Sequence, residues 1–358
     1  MKKTVLTLLT LCIGMLLWSA CTEKPTPEPI ANGSAEKPRY IAAADGNIYV
    51  TCYQPRSVVR IDTATQKITG ICHLGSFNPE GICAMGSKLY IASSNISDEN
   101  YNYMYDNKIY VVDIATFTLT DSIIVNMNPS KVLPIDNNHL VVSTIGDYPA
   151  LGGSVYGKTQ IINANNKEVT DLDVNLYNFD VYNGNIYGYT DLYSELAFYR
   201  IDGTTHQSTR ILTDWDVSKM PYGISINPYN GDIVVNTNGN YRYAGDCHVY
   251  RNDLSPRMDA VELGFLPSKA LALDADHLLV LNEGNWGNNE AELSLVDVNA
   301  ATATNNYFAA NNGRGLGDVG QDIIRYGSRI YIAVTYSNSI EVLNPTTGKS
   351  TRIALAGN

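Results

Sequence analysis

Side chains able to act as nucleophiles, general bases or metal ligands are scattered through this 358-residue chain. The five histidines, His73, His139, His206, His248 and His277, stand far apart, mostly at or near strand ends, whereas nucleophilic hydrolysis needs a base set beside its Ser or Cys with an orienting group and zinc chemistry needs ligands at short spacing. Each reads as a structural or surface histidine. Cys52, Cys72, Cys83 and Cys247 lie singly inside apolar stretches with no C-x-x-C pair, so they read as small buried hydrophobes, and no bridge is assigned. No phosphate loop or dinucleotide fingerprint occurs. Non-covalent binding is the chemistry these residue types favour, because tyrosine outnumbers phenylalanine 25 to 6.

The tyrosines gather with amides in a few polar segments. The candidate binding residues are Tyr53, Arg56, Tyr101, Tyr103, Tyr105, Tyr148, Tyr193, Tyr222, Asn240, Tyr241, Arg242, Tyr243, Asn285, Trp286 and Tyr336, with Glu80, Ser130, Lys131, Asn178, Lys269, Gln321 and Asp322 nearby. Rigid aromatic faces with a polar tip, interleaved with amides, grip a large polar ligand by stacking and hydrogen bonds at low entropic cost.

Elements that recur must position these segments. An apolar pair opens a strand at Ile48, Leu89, Leu140, Ile186, Ile233, Leu278 and Ile330, at spacings of 41, 51, 46, 47, 45 and 52 residues. A second strand follows and closes at Asp62, Asp113, Asn163, Asp202, Asn252, Asp297 and Asn344, where a side chain that bonds its own backbone two residues on starts a turn. A third strand comes after each turn, and a short apolar segment precedes each repeat. Four strands per period of roughly 47 residues, without helical periodicity, predict an all-β fold, a seven-bladed β-propeller with four-stranded blades over residues 38–358. A propeller collects the segments after each apolar pair, and those leading into the innermost strands, on one end of the ring. The turns at the opposite end, such as Asn183-Gly184-Asn185, are short hairpin turns to which no function is assigned.

Lys2 and Lys3, an apolar run over residues 5–17 and Ser19-Ala20-Cys21 have the layout of a secretory signal over residues 1–20. The run is shorter than the roughly 18–20 apolar residues of a membrane span. Residues 21–37, with Pro25, Pro27 and Pro29, read as a flexible tether. The chain carries 25 basic and 36 acidic residues for a net charge of −11, which argues against nucleic acid as a partner.

Ser19-Ala20-Cys21 resembles a bacterial lipobox, which implies lipidation of Cys21 and contact with the membrane through that anchor only. The strands Tyr49-Val50-Thr51-Cys52, Tyr90-Ile91-Ala92-Ser93, Val234-Val235-Asn236-Thr237 and Tyr331-Ile332-Ala333-Val334 resemble the YVTN repeat of the YncE-like propellers. With the anchor and the tyrosine-rich face, the chain resembles the cobalamin-binding, BtuG-type surface lipoproteins of Bacteroidetes. That resemblance implies an outer-membrane protein facing the cell exterior, which binds vitamin B12 or another corrinoid without a cofactor and delivers it to a TonB-dependent barrel. A glycan-binding lipoprotein and a protein-interaction scaffold are the alternatives. Propeller lactonases hold calcium in the central channel, so Glu80, Asn178 and Asp322 are the residues to inspect for a calcium-dependent hydrolase.

Overall fold

The computed structural model describes residues 35–98, 102–148, 152–190 and 195–355. Seven antiparallel sheets of four strands each follow one another along the chain, each with its strands in sequence order, and form the seven blades of a β-propeller. The innermost strands are Glu36–Ala44, Pro79–Met85, Pro129–Pro134, Leu176–Tyr182, Pro221–Ile226, Pro267–Ala272 and Gly320–Tyr326.

The second strand of each blade is the most apolar because neighbouring blades cover both of its faces. In Asn47–Gln54, five consecutive residues from Ile48 to Cys52 are buried. Val50 on one face packs with Tyr331, Ile340 and Val342 of blade 7, while Tyr49 on the other packs with Leu89 and Ile91 of blade 2. The core is therefore a circle of inter-blade layers, and the outer strands, such as Ser208–Ile211, are mostly exposed.

The turns after the third strands behave as their Asp and Asn residues predict. Asp62 Oδ1 accepts from Thr65 N at 2.7 Å, Asp113 Oδ1 from Thr116 N at 2.8 Å and Asn344 Oδ1 from Thr346 N at 2.9 Å. Blade 5 differs from expectation: its strand ends at Tyr250, and Asp253 rather than Asn252 closes the turn by accepting from Ser255 N at 3.0 Å.

Among the described residues the ring closes by packing, without a strand shared between the first and last blades. Glu36 and Lys37 belong to the first described strand. Ala35 is fully buried and its N–H donates to Leu355 O at 3.1 Å. Thr335 Oγ1 donates to Pro38 O at 2.8 Å across the same seam. Cys52, Cys72, Cys83 and Cys247 are free and buried, and burial pushes the Cys72 thiol up to about 11.

Candidate ligand-binding mouth

Each innermost strand carries one extra residue at an equivalent place. The pairing with the second strand slips between Pro38 and Ile41, Pro79 and Ile82, Pro129 and Lys131, Leu176 and Asn178, Pro221 and Gly223, Pro267 and Lys269, and Gly320 and Asp322. A bulge breaks the in-out alternation of a strand, so two successive side chains can face the same way. The first and second residues after the last paired position before each bulge give two sets of equivalent residues, termed an outer and an inner ring. Arg39, Glu80, Ser130, Tyr177, Tyr222, Ser268 and Gln321 form the outer ring; Tyr40, Gly81, Lys131, Asn178, Gly223, Lys269 and Asp322 form the inner one. Nearly all of them line one open cavity of about 700 Å³ at the mouth of the channel.

The charges there are interlocked. Arg39 Nε lies 3.3 Å from Glu80 Oε2, its Nη1 donates to Gln321 Oε1, and the guanidinium stands 4.9 Å from the Tyr53 ring centroid. Tyr53 donates its hydroxyl to Glu80 Oε1. Burial alone would depress the Arg39 guanidinium, but Glu80 and the phenols of Tyr53 and Tyr40 outweigh it and hold the charge firmly. Lys269 Nζ donates to Asp322 Oδ1 at 2.7 Å, and Asp322 Oδ2 accepts from Ile41 N at 2.9 Å, which ties blade 6 to blade 7 and blade 7 to blade 1. Tyr222 donates to Glu283 Oε2 at 2.7 Å; burial raises both groups above their ordinary values, and Glu283 raises Tyr222 further. Lys131 Nζ donates to Asn178 Oδ1 at 2.8 Å and to Phe179 O, and burial lowers the amine to about 8, with Lys269 adding to the effect and Asp180 and Asp322 opposing it.

The candidate residues fall into three groups around this mouth. Tyr222, Asn285, Trp286 and Tyr336 line the cavity itself. Tyr241 packs edge-on against Tyr222 at 6.0 Å, and Trp286 meets Tyr336 at 5.8 Å. Asn240, Tyr241 and Arg242 belong to a short turn around the 3-10 segment Gly239–Tyr241; with Tyr243 they are exposed at the rim of blade 5. Over blades 2 and 3, Tyr103, Tyr105 and Tyr148 form a mutual cluster with centroids 6.1 to 6.2 Å apart. Beside it, Asn95 Nδ2 donates to Asn128 Oδ1 at 3.1 Å. Arg56 stands apart: it is half-buried in its turn at φ +56°, and its Nε is buried. Tyr101, Tyr193 and Cys21 lie outside the described residues.

Sequence reasoning missed Arg39, Tyr40 and Tyr177. They sit on innermost strands beside the residues expected there, Arg39 and Tyr40 after Pro38 and Tyr177 after Leu176. A proline three residues before the apolar anchor, as in Pro38-Arg39-Tyr40-Ile41, recurs at Pro79, Pro129, Pro221 and Pro267 and marks the bulge.

Glu80, Asn178 and Asp322 do not fit a calcium site, since Arg39 and Tyr53, Lys131, and Lys269 with backbone amides already occupy their oxygens. Among the described residues, no three His, Cys, Asp or Glu side chains come together as a metal-binding group.

No protein-family model and no curated protein matches the chain. Solved structures resemble it at the level of fold. The computationally designed Ika8 protein is 8% identical, with 89% of this chain and 87% of that one covered and a TM-score of 0.58. Kuenenia stuttgartiensis hydrazine synthase is 12% identical over 91% and 98%, also at 0.58. The dihydro-heme d1 dehydrogenase NirN, in complex with DHE, is 11% identical over 90% of this chain and 66% of that one, at 0.57. At such identities the likeness establishes a β-propeller and nothing about ligand or activity.

Proposed function

We propose that this protein is a binding propeller that captures a large, polar, amide-rich small molecule at the mouth, a corrinoid such as vitamin B12, and does no chemistry on it. The observation that carries this reading is the open cavity of about 700 Å³ with Trp286 and Tyr336 in its wall and further exposed tyrosines at its rim. Exposed aromatic side chains have little to do for folding and much to offer a partner. The interlocked charges beneath them supply fixed donors and acceptors for side-chain amides. The lipobox-like Cys21 and the YVTN-like strands support the wider role, in which the anchored protein faces the cell exterior and passes its ligand to a TonB-dependent barrel.

Isothermal titration of the purified protein with cyanocobalamin tests the reading. One-to-one binding, with colour co-eluting in gel filtration, is the expected result. The absence of heat and colour would discard the corrinoid and leave a glycan or a protein as the occupant of the mouth.

A further inference from the structure

Blades 3 and 6 carry the same tripeptide, Pro129-Ser130-Lys131 and Pro267-Ser268-Lys269, at the same place in the ring. Each lysine reaches the inner-ring residue of the following blade. Lys269 finds the Asp322 carboxylate at 2.7 Å, whereas Lys131 finds the Asn178 amide oxygen at 2.8 Å. The two sites are thus the same construction with an acid in one and its neutral isostere in the other.

We propose that Lys131 is the cationic half of a subsite for an oxyanion, a carboxylate or phosphate group, on the molecule that the mouth binds; this rests on the reading of the mouth as a ligand site. Among the described residues Lys131 makes no ion pair within 4 Å, while Arg39 is held by Glu80 and Lys269 by Asp322. An ammonium has three donors. Two of them point to neutral oxygens, Asn178 Oδ1 and Phe179 O, Nζ stands 5.2 Å from the Phe179 ring centroid, and Lys131 is among the residues lining the cavity. Burial weakens this cation, and the carboxylates of Asp180 and Asp322 only partly restore it against the opposing charge of Lys269. An oxyanion docked on the remaining N–H supplies the missing counter-charge in a place partly shielded from water, where such a contact is stronger than at the surface.

The test is titration of the purified full-length protein with inorganic phosphate and, separately, with acetate, followed by calorimetry. Wild type is expected to bind at least one of the two, and the preferred anion names the group. Lys131→Gln removes the cation and Asn178→Asp gives it an internal carboxylate as Lys269 has; each is expected to weaken binding at least about 10-fold, the loss of a charge-assisted hydrogen bond. Lys67→Gln, which removes an exposed lysine of an outer strand, controls for net charge. Wild type that binds neither anion at tens of millimolar, or Asn178→Asp protein that binds as wild type does, overturns the proposal. Because Asn178→Asp is isosteric, the test stands even if Lys131→Gln fails to fold. Anion binding by a protein that ignores cyanocobalamin keeps the subsite and removes only the corrinoid. Cyanocobalamin binding by a protein that ignores both anions does the reverse.

Discussion

Tyr222 of blade 5 donates its phenolic hydrogen to the Glu283 carboxylate of blade 6 at 2.7 Å, so the two blades meet at the mouth through a half-buried acid. Burial raises the Glu283 carboxyl above its ordinary value, against the hydrogen bonds of Tyr222 and Ser268 and the charge of Arg39. A carboxyl raised in the folded state contributes stability that is fully present below its unfolded pKa and is lost as pH rises through the folded value. Glu283→Gln keeps the hydrogen bond and cannot ionise. The variant should therefore gain on wild type as pH rises from about 4 to 7, read as urea midpoints at each pH. Parallel pH profiles for the two proteins would mean that Glu283 ionises as freely in the fold as out of it.

Asp322 concerns closure of the ring. Its side chain is almost fully buried and accepts from Ile41 N of blade 1 at 2.9 Å, from Ile323 N at 2.9 Å and from Lys269 of blade 6 at 2.7 Å. Asp322→Ala strands a backbone N–H at the seam and leaves Lys269 without its counter-charge. Leaving a buried backbone N–H unsatisfied costs about 1–3 kcal/mol, while the Lys269 side chain, 40% exposed, is partly re-solvated. Urea unfolding should report a loss of that size, with a smaller one for Asp322→Asn, which keeps an acceptor. A loss below about 1 kcal/mol for the alanine variant would show that apolar packing alone holds blades 7 and 1 together.

The repeat was legible because a strand covered on both faces must be apolar at nearly every position, as Ile48 to Cys52 are, and because Asp or Asn starts the turn that ends each third strand. Direction was harder to read. Strict alternation would send Tyr40 away from the axis if Arg39 faced it, and only the bulge after Pro38 turns both toward the channel. Arg56 illustrates the converse: it belongs to the expected loop, but its left-handed backbone tucks it into the turn. In blade 5 two adjacent turn-formers, Asn252 and Asp253, compete to start the turn, and composition alone does not say that the second one does.

The exposed aromatics at the rim separate binding from folding. Trp286 and Tyr243 are 74% and 71% exposed, so their loss removes little buried surface. Trp286→Ala and the pair Tyr241→Ala with Tyr243→Ala should each weaken cyanocobalamin binding by about 30-fold, the scale of an aromatic hot spot of about 2 kcal/mol, while the melting temperature stays within about 2 °C. Calorimetry and thermal unfolding on the same preparations check both halves. Affinity that survives all three substitutions would move the site down into the channel, toward Lys131 and Asn178.

Two inner-ring positions are glycine, and the close approach of adjacent blades explains why. A Cβ built on Gly223 would lie 2.1 Å from Ser268 O, and one on Gly81 would lie 2.8 Å from Ser130 O. In both cases the obstacle is backbone of the next innermost strand, which cannot rotate aside as a side chain can. Gly223→Ala must push blade 6 away from blade 5, and the Tyr222–Glu283 bond and the wall of the mouth sit on that boundary. Overpacking of this kind costs about 1–3 kcal/mol where side chains yield, and the upper end is expected where backbone must move. Gly81→Ala should cost less because its contact is longer. Gly315→Ala is the comparison, since its nearest obstacle is Asn289 O at 3.9 Å, and it should be close to neutral. Urea unfolding should rank the three with Gly223→Ala worst and Gly315→Ala least affected. If Gly223→Ala matches Gly315→Ala, the blades can slide apart without loss, and the diameter of the mouth is adjustable rather than set by the packing of its innermost strands.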